Sequence, residues 1–259
     1  MFKKLFGKKI APPAYQSNWH SYLTSMDGLP QSILIDLGLA AIAPVATYPT
    51  RLLLTLPFQT TRADLLPDAA TAQALWAIET QIEAALKHLP VLHVVNVTYK
   101  RERQMHYYLP DHGAADGFKS ALTELVQAHG LRFSVREDPR WVVYLEQFYP
   151  SPLQLQSINN QLVIYQLQKN GDSLSLPREV FHWAYFKDQT ALARYEDYVL
   201  SQGYLVIEKG QTEAGSWKLR FSRVDKIDFA GIDEIVLPLW SQAQEYEGEY
   251  DGWETSVEK

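Results

Sequence analysis

The chain has no cysteine. That excludes a disulfide framework, thiolate catalysis and the usual structural zinc sites, and it fits a reducing compartment as readily as a periplasmic one. No long hydrophobic run is present either. The longest, Leu37 to Ala46, falls far short of the ~20 residues a helix needs to cross a bilayer, so no transmembrane helix is expected. A basic excess is also missing. With a formal net charge of −6 the protein has no global field to attract nucleic acid or an anionic membrane, and any RNA contact must be local. Finally, Met1 to Ile10 alternates basic and apolar residues without the continuous apolar segment of a secretory signal. The expectation is a cytoplasmic protein whose residues 1–16 form a disordered basic terminus, with a short amphipathic membrane-touching segment as the alternative.

What is present is the composition of a globular protein, 46% apolar and 21% charged over 259 residues, enough for two domains each with its own core. From Arg51 the pattern is regular. Leu52, Leu54, Leu56 and Phe58 alternate along a strand, and Leu75, Ile78, Ile82, Ala85 and Leu89 then recur at helical spacing between Ala70 and Leu89. Two strands follow (about Leu92 to Tyr99 and Gln104 to Leu109), joined by Lys100-Arg101-Glu102. A helix marked by Phe118, Leu122, Leu125 and Val126 closes at Gly130, and Leu131, Phe133 and Val135 supply a last strand. This β-α-β-β-α-β order is the ferredoxin-like unit.

The order repeats in the second half. Val180 to Phe186 is a strand rich in β-branched and aromatic residues, Asp188 caps a helix ended by Gly203, and Tyr204 to Ile207 pairs with Trp217 to Val224. A helix from about Phe229 to Tyr246 and a strand from Trp253 to Val257 complete the unit. Pro238 inside that helix predicts a kink or a later start, since an interior proline costs ~3 kcal/mol. The predicted fold class is α+β: two tandem ferredoxin-like units with antiparallel sheets, residues 17–150 and 151–259. An N-terminal hairpin (Trp19, Tyr22, Asp27-Gly28, then a strand from Ser32 to Leu39) adds to the first sheet, and an extra helix from about Leu153 to Gln168 links the two.

Trp19, Tyr22, Asp27-Gly28-Leu29-Pro30, Asp36-Leu37, Asp138-Pro139-Arg140-Trp141, Tyr144 and Phe148-Tyr149-Pro150 make the first half resemble the bacterial domain of unknown function family 695, for which no activity is implied. Gly171-Asp172, Pro177-Arg178, His182-Trp183, Tyr185-Phe186, Gly203-Tyr204 and Tyr250-Asp251-Gly252-Trp253-x-Thr255 make the second half resemble the ribonuclease E inhibitor B (RraB) family. The resemblance implies a ferredoxin-like fold and a protein that binds ribonuclease E and reduces its activity.

On the strand from Val180, alternation sends Val180, His182, Ala184 and Phe186 to one face and Phe181, Trp183 and Tyr185 to the other. The second face can be covered by the N-terminal domain or self-association in a homodimer, by a partner protein, or by stacked RNA bases. Lys218, Arg220 and Arg223 keep the RNA option open, and their bland reading is a charged hairpin. His182 titrates near neutrality in water, but without a nucleophile or fixed carboxylate at recognisable spacing it reads as a hydrogen-bonded core residue. Asp111, His112 and His106 form no known metal cage, and Glu79 and Glu83, one turn apart, read as a solvated helix face. Asp251-Gly252 is expected to form the turn before the last strand, with Trp253 pinning that strand and Glu249, Asp251 and Glu254 forming an acidic rim.

No catalytic residue, metal or cofactor is assigned. The leading expectation is a non-enzymatic regulator whose second domain binds a protein, ribonuclease E or another RNA-degradation enzyme, through Arg178, Trp183, Tyr185, Glu249, Asp251, Trp253 and Glu254. Its rivals are an RNA-binding module using Trp183, Tyr185 and Arg220, and an enzyme or small-ligand binder with an interdomain cleft using His182 and Arg178.

Overall fold

A computed structural model describes residues 12–259; most of the basic N-terminal segment, residues 1–11, lies outside the described residues. The chain divides into two compact units between Tyr149 and Pro150. Among the described residues, no helix is long and apolar enough to cross a membrane.

The first unit runs β1 (Trp19–Met26), β2 (Leu29–Asp36), β3 (Thr50–Pro57), α1 (Ala69–Leu86), β4 (Leu92–Tyr99), β5 (Glu102–Leu109), α2 (His112–Ala121), α3 (Thr123–His129) and β6 (Arg132–Glu137). Its antiparallel sheet has the order β1-β2-β4-β5-β3-β6. The four strands β4-β5-β3-β6 have the ferredoxin-like arrangement, and the β1–β2 hairpin extends the β4 edge. Asp27 and Gly28, with φ of 51° and 73°, make the tight turn whose twist suits a two-residue hairpin. Lys100 and Arg101, with φ of 46° and 64°, make another between β4 and β5.

Alternating Leu52, Leu54 and Leu56 of β3 and Met105, Tyr107 and Leu109 of β5 face Leu75 and Ile82 of α1 and Phe118 of α2, forming one core. The opposite face is covered by residues 138–149, which include a π-helical turn at Val143–Phe148. Buried Trp141 stacks on Tyr108 with ring centroids 4.1 Å apart and donates its indole N–H to the Tyr48 carbonyl at 2.9 Å. The Tyr144 hydroxyl donates to the Asp36 carbonyl and that of Tyr22 to the Phe148 carbonyl, both at 2.7 Å. Two sequence expectations change here. The strand expected to reach Leu39 ends at Asp36, whose carboxylate accepts from the Gly38 N–H and starts a 3-10 turn, Leu37–Ala41. The single helix expected before Gly130 is two, broken at Leu122, where a non-helical φ of −105° buries the leucine.

The second unit runs α4 (Pro152–Lys169), β7 (Arg178–Phe186), α5 (Gln189–Ser201), β8 (Leu205–Gln211), β9 (Trp217–Asp225), α6 (Ile232–Glu245) and β10 (Glu249–Thr255). Its antiparallel sheet, β10-β7-β9-β8, repeats the ferredoxin-like order. Ser151 and Gln154 form a reciprocal capping box at the start of α4, and Asp188 caps α5 through the Ala191 N–H at 2.8 Å. One face of the sheet carries Val180, Ala184, Phe186, Leu219 and Phe221 into a core completed by α4, α5 and α6. Helix α6 begins at Ile232 rather than Phe229 and continues through Pro238. Both Pro238 and Glu234, the residue one turn earlier whose carbonyl loses its partner, lie exposed, so water can satisfy that carbonyl.

The closing strand also departs from expectation. Asp251-Gly252 is not the turn before it. Strand β10 starts at Glu249 and carries Asp251 as a bulge, with the register against β7 shifting between Tyr250 and Gly252 and Gly252 at φ 132°. The bulge places both Tyr250 and Trp253 on the core face, opposite Ala184 and His182.

Candidate protein-docking groove

From Val180 onward strand β7 alternates buried and half-buried side chains, after an exposed Glu179. Phe181, Trp183 and Tyr185 form the half-buried row on the face away from α5 and α6. Register aligns Trp183 with Arg220 on one side and Gly252 on the other, and Phe181 with Ser222 and Glu254. The Arg220 guanidinium lies over both rings, 4.6 Å from Phe181 and 5.2 Å from Trp183, and 3.9 Å from the Glu254 carboxylate. At the far end of this face Leu205, Ile207 and Val224 are exposed apolar side chains, an unusual concentration on one sheet edge.

A groove of about 520 Å³ opens where this face meets the β10 edge. One wall is Trp183 and Tyr185, another is Asp251, Gly252 and Glu254, and the third is Gln156, Asn159 and Val163 of α4. Trp253 and Asn160 lie at its base, joined by a hydrogen bond from the indole N–H to Asn160 Oδ1 at 3.1 Å. Asn160 donates in turn to Asp233 Oδ1 at 2.8 Å, and Ser157 donates to the other oxygen of the same carboxylate. This buried network fixes α4, α6 and β10 to one another and so sets the width of the groove.

Five of the seven residues expected to bind a partner therefore meet: Trp183, Tyr185, Asp251, Trp253 and Glu254. Glu249 is exposed directly across from Tyr185 on the adjoining rim. Arg178 is elsewhere. It is buried against Asp172 in a two-pronged ion pair, with Nη2 donating to Oδ1 at 3.0 Å and Nη1 to Oδ2 as well as to the Ser256 carbonyl. Asp172 also accepts from the Leu174 and Glu258 backbone N–H groups. The Arg178 hydrogen bond holds the Asp172 carboxyl down at about 2. Arg178 thus anchors the C-terminal segment and offers no docking surface. Residues the sequence reading missed are those of α4; their spacing at 156, 159, 160 and 163 is one helical face, and a polar stripe of Gln and Asn on it was the available signal.

His182 is fully buried, stacked on Phe221 at 5.2 Å, with Nδ1 2.7 Å from the Tyr250 hydroxyl. Burial, helped by the nearby Arg223 charge, pushes its pKa down to about 3, so it is a neutral core residue at physiological pH. The pair on which the small-ligand enzyme alternative relied, His182 and Arg178, is sealed from solvent. The basic residues that kept RNA in play are committed as well: Lys218 Nζ lies 2.6 Å from Glu208 Oε1, Arg223 pairs with Asp225 at 2.9 Å, and Arg220 covers the aromatic row. Of the other candidates, Asp111 caps α2 through the Ala114 N–H, His112 pairs with Glu137 at 2.7 Å and His106 is buried. Glu83 is exposed, but Glu79 is not part of a solvated face; it lies largely buried beside Arg103, with Nη1 2.9 Å from Oε1.

No curated protein matches this chain. Among solved structures, an unknown protein from Galdieria sulphuraria is 13% identical, with 81% of this chain and 99% of the other covered and a TM-score of 0.22. A "putative glycine cleavage system transcriptional repressor" is 9% identical, with 81% and 98% covered and a TM-score of 0.25. The family models match both halves: residues 157–255 match the regulator of ribonuclease activity B model and residues 17–149 match the DUF695 model. With the second match spanning half its length, the chain belongs to the DUF695 family of unknown function, and it carries a C-terminal half that resembles the regulator of ribonuclease activity B.

Proposed function

We propose that this protein is a non-enzymatic regulator that binds a basic segment of an RNA-degrading enzyme of the ribonuclease E kind, in the bacterial cytoplasm, and lowers its cleavage. The reading is supported by the match of residues 157–255 to a regulator of ribonuclease activity taken with one observation: the groove pairs an aromatic wall, Trp183 and Tyr185, with exposed carboxylates at Asp251 and Glu254. Arginine is the side chain that uses both at once, stacking its planar guanidinium on a ring while its N–H fork meets a carboxylate. Arg220 already makes this kind of contact within the sheet, over Trp183 and near Glu254. An incoming arginine-bearing segment would bind beside it, with Leu205 and Val224 available to its apolar residues. Inhibition follows by occupying a segment the enzyme needs for RNA or for assembly.

Adding the full chain to a ribonuclease E cleavage reaction tests this. The initial rate is expected to fall with the wild type and to be unaffected by an Asp251→Lys, Glu254→Lys variant of unchanged unfolding temperature. A pull-down from bacterial lysate is expected to recover the enzyme with and without nuclease treatment. Unchanged cleavage together with no detectable binding overturns the reading, and recovery that disappears on nuclease treatment replaces it with RNA-bridged association.

A further inference from the structure

The first unit holds a second cavity, of about 400 Å³, in the corner between α1 and the hairpin extension of the sheet. Its construction is specific. Asp36, fully buried at the end of β2, accepts hydrogen bonds from the Tyr15 hydroxyl at 2.9 Å, the Ser17 hydroxyl at 2.8 Å and the Asn18 N–H at 2.7 Å. These bonds bind the segment entering β1 across the strand end and place Tyr15 and Trp19 on the cavity wall. Gly38 permits this close approach, since a Cβ there would lie 2.0 Å from the Gln16 carbonyl oxygen.

The walls are aromatic and the polar groups converge. Trp19 packs on His93 with centroids 4.9 Å apart, and His93 stacks on Tyr107 at 4.6 Å. His93 Nε2 is 2.6 Å from Asn96 Oδ1, and the Asn96 amide donates to Glu79 Oε2 at 3.4 Å. Glu79 and Glu83, one helical turn apart on α1, both line the space. The charges can be counted. Arg103 balances Glu79, burial lowers the His93 pKa to about 4 and leaves the ring neutral, and Glu83, exposed at the mouth, adds a negative charge that no ion pair among the described residues balances. Asp36, behind Tyr15, adds a second negative charge. Flat π surfaces under a net negative field select a cation, and the volume suits a small molecule.

We infer that the cavity bounded by Trp19, His93, Asn96, Glu79 and Glu83 is a binding site for a small organic cation, a planar amidinium or guanidinium carried on a short apolar body. The body lies against Trp19 and His93, and the cationic head meets the Glu83 carboxylate. This site does not depend on the groove of the second unit.

Isothermal titration of the full chain with benzamidine and with butylguanidine tests the assignment, with benzoate as the anionic analogue. Saturable binding of the two cations is expected, with none for benzoate. Glu83 is exposed, so Glu83→Gln and Glu83→Lys leave the fold intact; the first is expected to weaken binding about tenfold and the second to abolish it. Equal binding of benzoate, cation binding unchanged in Glu83→Lys, or no heat from either cation at millimolar concentration overturns the inference. Ribonuclease inhibition by Glu83→Lys is expected to match the wild type, which separates failure of this site from failure of the groove.

Discussion

The Trp253 indole donates to Asn160 Oδ1 at 3.1 Å, which ties the closing strand to α4 under the floor of the groove. Asn160 is fully buried and its amide donates to Asp233. Replacing it leaves an indole N–H and a carboxylate oxygen without their partner, at a cost of about 1–3 kcal/mol. Asn160→Ala is therefore expected to lower the unfolding temperature of the second unit and to weaken partner binding by loosening the α4 wall. Thermal unfolding and the pull-down, run on the same preparation, check both effects.

The Arg178–Asp172 pair is a separate and purely structural element. Its side chains are 2% and 0% exposed, so removing one partner strands the other charge in the interior, worth about 3–5 kcal/mol. Arg178→Met is expected to destabilise by that order, and the Arg178→Met, Asp172→Leu double variant to recover much of the loss. Because the Asp172 pKa is depressed from 3.8 to about 2, the pair's contribution is complete above the unfolded value of 3.8. It disappears as pH falls toward 2. Denaturant melts of both variants at neutral pH and near pH 3 measure this directly.

The division between legible and hidden features follows the physics. Alternation along Val180 to Phe186 announces which side chains are buried because a strand has a period of two, and Gly130 and Gly203, with φ of 67° and 81°, mark helix ends because those conformations suit glycine. The cap at Asp188 is equally local. The sequence misplaces Arg178 and Glu79 because their environments are set by partners outside their own elements: Asp172 and Ser256 for one, Arg103 on the facing strand β5 for the other. Nothing in local periodicity distinguishes a charge that will be buried and paired from one that stays in water. The bulge at Asp251 is hidden for a similar reason, since Asp-Gly serves a turn and a bulge equally well.

Charge at the groove is expected to control affinity more than stability. Asp251 and Glu254 are exposed, so Asp251→Lys with Glu254→Lys is expected to leave the unfolding temperature within a degree or so. Binding of a basic partner is expected to weaken by about tenfold or more, since like charges across an interface are strongly unfavourable. Wild-type affinity should decline as salt rises from low to physiological ionic strength, and the variant should lose most of that salt dependence. Trp183→Ala removes the stacking surface and should weaken binding without removing the salt dependence. Affinity measured over a salt series for the three proteins separates the aromatic and electrostatic contributions.

His182 makes the second unit acid-sensitive. Its pKa falls from 6.5 in the unfolded chain to about 3 in the fold, so between those values the unfolded state binds a proton that the native state refuses. The stabilisation from keeping the ring neutral is therefore complete above pH 6.5 and is lost progressively as pH falls toward 3, at up to about 1.4 kcal/mol per pH unit. His182→Gln keeps a polar group near the Tyr250 hydroxyl but removes the titration. The variant is expected to be less stable than wild type at pH 7, having lost the stacking on Phe221, yet to show a shallower decline between pH 6 and 4. Parallel slopes in the two proteins would mean that His182 is already protonated in the native state, and a ring proton resonance that shifts between pH 7 and 5 would show the same thing independently.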